Sequence, residues 1–75
     1  MAMRALIIGA TRKLGPPVAR QLVGDRLQVR ALVRDPGRAR TTLPTAIELH
    51  TGELRDSQSI ITAMKDVDVL YLNLA

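Results

Sequence analysis

The stretch Gly9-Ala10-Thr11-Arg12-Lys13-Leu14-Gly15 constrains the fold more than any other. It follows a short apolar run, Arg4-Ala5-Leu6-Ile7-Ile8, and opens onto a helix-like pattern near Pro16. A short run that is apolar on both faces reads as a buried parallel strand. A glycine-bracketed turn then leads the chain into an amphipathic helix. Such a turn gathers backbone N–H groups and a helix N-terminus around one point, where a pyrophosphate can sit. Related turns carry a middle glycine, which would fall at position 12 or 13; those positions hold Arg12 and Lys13. The middle glycine lets backbone approach phosphate with no Cβ in the way. Two readings stand for the loop. Either Arg12 or Lys13 supplies a charge-assisted phosphate contact, or the loop is a tight turn carrying two solvated cations.

The rest of the chain repeats the strand–helix rhythm. Residues 3–8 form the first expected strand, and the spacing predicts the first helix over residues 16–23. Pro16 and Pro17 fall in its first turn, where a missing N–H costs least. They also remove two donors near the anion site. Leu14, Val18 and Leu22 recur at helical spacing with Ala19 beside them, and Gly24 is the expected C-cap. Residues 27–33 form the second strand, broken by the turn chemistry of Arg34-Asp35-Pro36-Gly37. A short helix is expected over 38–43, ending before Pro44, then a third strand over 46–50 and a loop over 51–55. Asp56 or Ser57 caps a third helix over 58–65, with Ile60, Ile61 and Met64 as its core face. Residues 68–74 form the fourth strand, apolar on both faces.

This βαβαβαβ order with short connections predicts a Rossmann-like, three-layer α/β fold. Its parallel sheet has four strands in the order 3-2-1-4. The ligand crevice of such a sheet lies beyond the carboxyl ends of its strands, between strands 1 and 4. The rim would hold Gly9 to Gly15, Arg34, the loop at Gly52–Leu54, and the segment from Asn73 onward.

Composition narrows the chemistry. Seventy-five residues are enough for one small domain. With no cysteine and one histidine, His50, a thiolate or zinc site is not expected. No apolar run approaches the length of a membrane span, and the opening residues do not read as a signal peptide. The expected location is therefore the cytoplasm. The formal charge of +4 suits a phosphate-bearing ligand. Nucleic acid is disfavoured, because the basic residues are dispersed and the one aromatic, Tyr71, sits in an apolar run.

Four blocks, in this order and spacing, carry a resemblance. They are Leu6-Ile7-Ile8-Gly9-Ala10-Thr11, Val29-Arg30-Ala31-Leu32-Val33-Arg34-Asp35-Pro36, Gly52-Glu53-Leu54-Arg55-Asp56 and Val67-Asp68-Val69-Leu70-Tyr71. Together they resemble the short-chain dehydrogenase/reductase superfamily, and within it the atypical, NmrA-like branch of NAD(P)-binding reductases and redox-sensing regulators. The resemblance covers nearly the whole chain, which would be the N-terminal part of an NAD(P)-binding Rossmann domain, truncated after its fourth strand.

The resemblance implies site roles by position. Gly9, Thr11, Arg12, Lys13, Leu14 and Gly15 would line the pyrophosphate loop. Arg34 stands where an acidic residue bonds the adenosine ribose in NAD-selective relatives, so arginine implies NADP over NAD. Arg12 would be a second 2′-phosphate ligand and Arg38 a third. The alternative for Arg34 is a solvated turn residue, with or without a pair to Asp35. Glu53-Leu54 stands where the family has Asp and an apolar residue beside the adenine. Asn73 is either part of the wall under adenine and ribose or a strand-end cap.

No catalytic residue is expected in this chain. The family's catalytic tyrosine and lysine lie beyond the fourth strand, and Tyr71 has no Tyr-x-x-x-Lys context. If the parent is an enzyme, the implied chemistry is hydride transfer from NADPH to a small organic acceptor. A non-enzymatic NADP sensor, or an interaction module that has lost the cofactor, are the alternatives. The fourth strand is an apolar edge without proline, so self-association through it is expected of an isolated chain.

Overall fold

Successive side chains of a strand point to opposite faces, so strand register decides which residues meet in each layer. The computed structural model describes residues 3–10 and 15–73. The expectations for Thr11, Arg12, Lys13, Leu14 and the last two positions lie outside the described residues. The elements are β1 (Arg4–Ile8), α1 (Gly15–Gly24), β2 (Gln28–Val33), α2 (Pro36–Ala39), β3 (Glu48–Thr51), α3 (Ser57–Ala63) and β4 (Val69–Leu72). The four strands form one sheet in the order β3-β2-β1-β4, and every pairing is parallel.

The register places Leu6 beside Arg30 and Ile8 beside Leu32. Leu6, Ile8 and Leu32 pack with Ala63, Ile60 and Val67 under α3. The opposite face carries Ile7, Val29, Ala31 and Val33, packed with Ala19, Ala39, Leu43 and Ile47 under α1 and α2. The apolar runs of β1 and β2 are thus explained by burial on both faces. At the far edge, β4 pairs among the described residues with β1 alone, and Val69, Leu70, Tyr71 and Leu72 are all exposed.

Four local departures from the sequence expectations have identifiable causes. The first is the end of α1. Gly24 lies inside the helix, and the left-handed residue is Arg26 (φ 66°). The Leu27 N–H donates to the Leu22 carbonyl (3.2 Å) and the Arg26 N–H to the Val23 carbonyl (3.0 Å). That pair of bonds is a Schellman closure with arginine at the position glycine usually takes.

The second is α2, which begins two residues early, at Pro36. Asp35 is its N-cap, its Oδ1 accepting the Arg38 N–H at 3.1 Å. Proline suits the first helical position, where no N–H is needed, so Asp35-Pro36 works as a helix start. The third is α3, whose buried residue is Ala63, with Ile60 packed beside it. Ile61 is 63% exposed and Met64 36% exposed, so the inward face is rotated from the expected Ile60–Ile61–Met64 set. Asp56 caps this helix, Oδ1 accepting the Gln58 N–H (3.0 Å) and Oδ2 the Ser59 hydroxyl (3.0 Å).

The fourth is in the outer strands. β3 starts at Glu48, because Ile47 is held in the turn by its N–H to the Pro44 carbonyl (3.1 Å) and buries in the core. Asp68 fastens the entry to β4 rather than joining it. Its N–H donates to the Arg4 carbonyl (2.8 Å), and its Oδ2 accepts the Arg4 N–H (2.9 Å).

Among the described residues Arg30 is the buried charge, 6% exposed. Its Nη1 donates to the carbonyls of Ala63 (2.6 Å) and Lys65 (2.8 Å), where α3 runs out. Its Nε donates to Glu48 Oε2 on the neighbouring strand (3.2 Å). The last carbonyls of a helix have no partner within it, and a guanidinium offers several donors in one plane. Arg30 therefore pins the end of α3 to the sheet. The His50 Nε2 donates to the other Glu48 oxygen at 2.9 Å. The Glu48 carboxyl is held below its ordinary value, chiefly by this His50 bond; desolvation opposes the shift and Arg30 adds to it.

Candidate nucleotide-binding cleft

In a parallel sheet every strand ends on the same side, so the loops after β1, β2, β3 and β4 converge. Here they enclose a cleft of about 460 Å³. Ile8, Leu32 and Val33 are its apolar lining; Gly9, Arg34, Gly52, Glu53, Leu54, Arg55 and Asn73 supply the remainder. That volume falls in the range of about 300–1,000 Å³ usual for small-molecule sites.

Gly9 ends β1 with φ of +90°. A Cβ there would collide with the Asn73 carbonyl oxygen and lie 3.0 Å from its carbon. The two strand ends are stitched together at this point. The Asn73 N–H donates to the Ile8 carbonyl (2.9 Å), and the Asn73 Nδ2 donates to the Gly9 carbonyl (3.2 Å). Only a residue without a side chain allows this approach of the Asn73 backbone. Asn73 therefore ties the end of β4 to the β1 turn while also lining the cleft.

Gly15, at the start of α1, is buried and is not among the lining residues. A Cβ on it would stand 2.5 Å from both the Ala10 carbonyl carbon and the Gly9 carbonyl oxygen. Its lack of a side chain lets α1 begin directly against the turn.

The loops after β2 and β3 are tied by the Gly52 N–H, which donates to the Val33 carbonyl at 2.9 Å. Arg34 follows at once and is exposed at the cleft. Its exposure agrees with the alternative of a solvated turn residue, though the pair with Asp35 is not observed. Asp35 turns to cap α2, and no described residue bonds the Arg34 side chain. Arg34 also borders a second hollow of about 800 Å³, shared with Arg38, Thr41 and Thr42. Glu53 and Leu54 line the first cleft as expected, and both are exposed.

Two residues escaped the sequence reading, one in the cleft and one in the core away from it. Arg55 lines the cleft, and the signal was available, since it precedes a capping Asp56 as Arg34 precedes the capping Asp35. Arg30 had no usable signal, because the alternation of β2 placed it with exposed Gln28.

The arrangement fits a dinucleotide. Gly9 lines the cleft without a side chain, the exposed Arg34 lines it with no side-chain partner among the described residues, and Ile8, Leu32 and Val33 add apolar lining. A parallel sheet with these features defines an NAD(P)-binding, Rossmann-like protein. Residues 9–75 match the family described as NAD(P)H-binding, and the chain belongs to that family.

Its relatives agree. Over 67 residues it is 31% identical to an NAD(P)H azoreductase of Xenophilus azovorans, an alignment covering 89% of this chain and 23% of that protein. Among solved structures, a Rossmann-fold NAD(P)-binding family protein from Shigella flexneri superposes with TM-score 0.86 at 24% identity. It covers 100% of this chain and 39% of the other. The UDP-glucose 4-epimerase of Thermus thermophilus, in complex with NAD, superposes with TM-score 0.81 at 21% identity. That match covers 97% of this chain and 24% of the other. At such identities the superpositions speak for the fold. This chain spans less than a quarter of the azoreductase's length. No helix among the described residues is long and apolar enough to cross a membrane.

Proposed function

We propose that this chain is the nucleotide-binding part of an NmrA-like, cytoplasmic oxidoreductase, and that it prefers NADP to NAD. One observation carries the reading. Gly9, Arg34, Glu53, Leu54 and Asn73, drawn from four different strand ends, line a single cleft. In this assignment the pyrophosphate lies on the loop from Gly9 through Thr11, Arg12, Lys13 and Leu14 to Gly15. The Arg34 guanidinium takes the 2′-phosphate, with a geometry suited to a bidentate contact. An NAD-selective site would place a carboxylate at this point to accept from the ribose hydroxyl; here Arg34 holds that position, and the adjacent Asp35 accepts the Arg38 N–H at its helix cap. Glu53 and Leu54 flank the adenine, and Asn73 backs the ribose. When bound, the nicotinamide supplies hydride chemistry toward a small organic acceptor. The protein's part is to hold and orient it.

Calorimetric titration with NADP and with NAD, repeated on Arg34→Ala, tests the proposal. A charge-assisted contact contributes about 1.5–3 kcal/mol. Loss of Arg34 should therefore weaken NADP binding by roughly 10- to 100-fold and leave NAD nearly unchanged. Equal affinity for the two cofactors, unaltered by the substitution, overturns the NADP assignment. No binding of either to the folded chain overturns the cleft as a nucleotide site.

The outer edge of β4 supports a second expectation. Its four residues are each 40–50% exposed, and among the described residues only β1 pairs with it. Unpaired edges of this kind recruit further strands. The isolated chain should self-associate through β4, and a monomeric sedimentation profile with cooperative unfolding would exclude it.

A further inference from the structure

The chain uses one device twice. After β2, Arg34 precedes Asp35, and Asp35 turns away to cap α2. Within the loop after β3, Arg55 precedes Asp56, and Asp56 turns away to cap α3. Each aspartate is occupied by its own helix, Asp56 through both carboxylate oxygens. Each arginine is left exposed, facing the same cleft, with no hydrogen bond or ion pair to a described residue. The two loops are held side by side by the Gly52 N–H bond to the Val33 carbonyl.

Resting on the nucleotide reading above, we propose that Arg55 is a base-binding residue: its guanidinium stacks on the exposed face of the adenine. The surroundings separate its role from that of Arg34. On the β2 side, Arg34 shares a hollow with Arg38 and with Asp35, whose Oδ1 accepts the Arg38 N–H, so two cations stand against one carboxylate there. That side is suited to an anion. On the β3 side, the cleft holds Glu53 together with Arg55, whose charges cancel. A neutral purine suits that side better than a phosphate does. The apolar lining from Ile8, Leu32 and Val33 offers a surface for one face of a flat ring. Leu54 and Arg55 come from the opposing loop and can cover the other. A guanidinium is planar and weakly hydrated, which favours stacking over an aromatic face.

The test compares ADP with adenosine 2′,5′-bisphosphate on the whole chain, by calorimetry, for the unsubstituted protein, Arg55→Ala, Arg55→Lys and Arg34→Ala. Stacking predicts that Arg55→Ala weakens both ligands by the same factor, about 3- to 30-fold for a contact of this kind. Arg55→Lys keeps the charge without the plane and should recover only part of the loss. Arg34→Ala should weaken the 2′-phosphorylated ligand selectively. If Arg55→Ala weakens only the 2′-phosphorylated ligand, Arg55 is an anion contact and the assignment falls. If it changes neither, Arg55 is a bystander and the assignment falls while the nucleotide reading stands. Failure of the unsubstituted chain to bind either ligand removes the nucleotide reading and this assignment with it.

Discussion

Replacing Arg30 by alanine should cost this small fold a large share of its stability. The side chain supplies two short bonds to the carbonyls of Ala63 and Lys65, at 2.6 and 2.8 Å. Hydrogen bonds to a charged donor contribute about 1.5–3 kcal/mol each, and each buried methylene adds about 0.8 kcal/mol. The Glu48 contact adds little, because that carboxylate is 52% exposed and screened by solvent. Water will re-solvate part of what is uncovered, so the net loss should be about 3–4 kcal/mol. A domain of this size has roughly 4–11 kcal/mol in total. Urea unfolding followed by circular dichroism measures the effect directly. With a slope of about 1 kcal/mol/M, the midpoint should fall by about 3 M. Arg30→Met keeps the apolar stem and removes the donors, so it should lose somewhat less. A loss below about 1 kcal/mol for Arg30→Ala would refute the reasoning, because the two carbonyls would then be as well served by water.

Three other outcomes follow from particular residues. Gly9→Ala should destabilise by more than the roughly 1–2 kcal/mol of a left-handed residue, because its Cβ also meets the Asn73 carbonyl; urea midpoints and cofactor affinity should both drop. Arg26→Gly should stabilise by about 0.5–1 kcal/mol, since glycine relieves the φ of 66° but has more entropy to lose on folding; a melting point raised by about 2–6 °C is the readout. The depressed Glu48 carboxyl contributes stability that is present above its ordinary pKa of 4.5 and is lost as pH falls through the lower folded value. Glu48→Gln should therefore flatten the acid side of the stability–pH curve, modestly, given the exposure of the group.

Much of this architecture is legible in the sequence because its strands are buried on two faces. β1 and β2 carry apolar runs that few other environments explain, and the glycine after β1 marks where the chain must turn. Given the order β3-β2-β1-β4, right-handed crossovers put α1 and α2 on one face and α3 on the other. What escaped reading were places where one residue type serves two roles. Asp35-Pro36-Gly37 is turn chemistry and also a cap followed by a favoured first helical residue; the Arg38 N–H bond to Asp35 decides between them. Gly24 was the natural helix end, yet the chain closes on Arg26 two residues later. In α3, an isoleucine pair cannot reveal which member faces inward, and Ala63 takes the buried position instead. Arg30 reads as the polar member of an alternating strand, and only the meeting of β2 with the end of α3 makes it a buried clamp. In the cleft, sequence position located Gly9, Arg34, Glu53, Leu54 and Asn73, because loops at strand ends converge whatever their composition. Arg55 was missed because its exposure at the cleft depends on Asp56 being drawn away by its helix.

The central claim is that a dinucleotide occupies the carboxyl edge of this sheet, over Gly9. An NMR titration of the isotopically labelled chain with NADP tests it most directly. The amide resonances of Gly9, Arg34, Gly52, Glu53, Leu54 and Asn73 should shift together and saturate with one affinity. Those of Arg4, Arg26, Asp66 and Asp68, at or near the opposite strand ends, should stay in place. Shifts confined to that opposite edge, or no saturable shift at all in a folded chain, would contradict it.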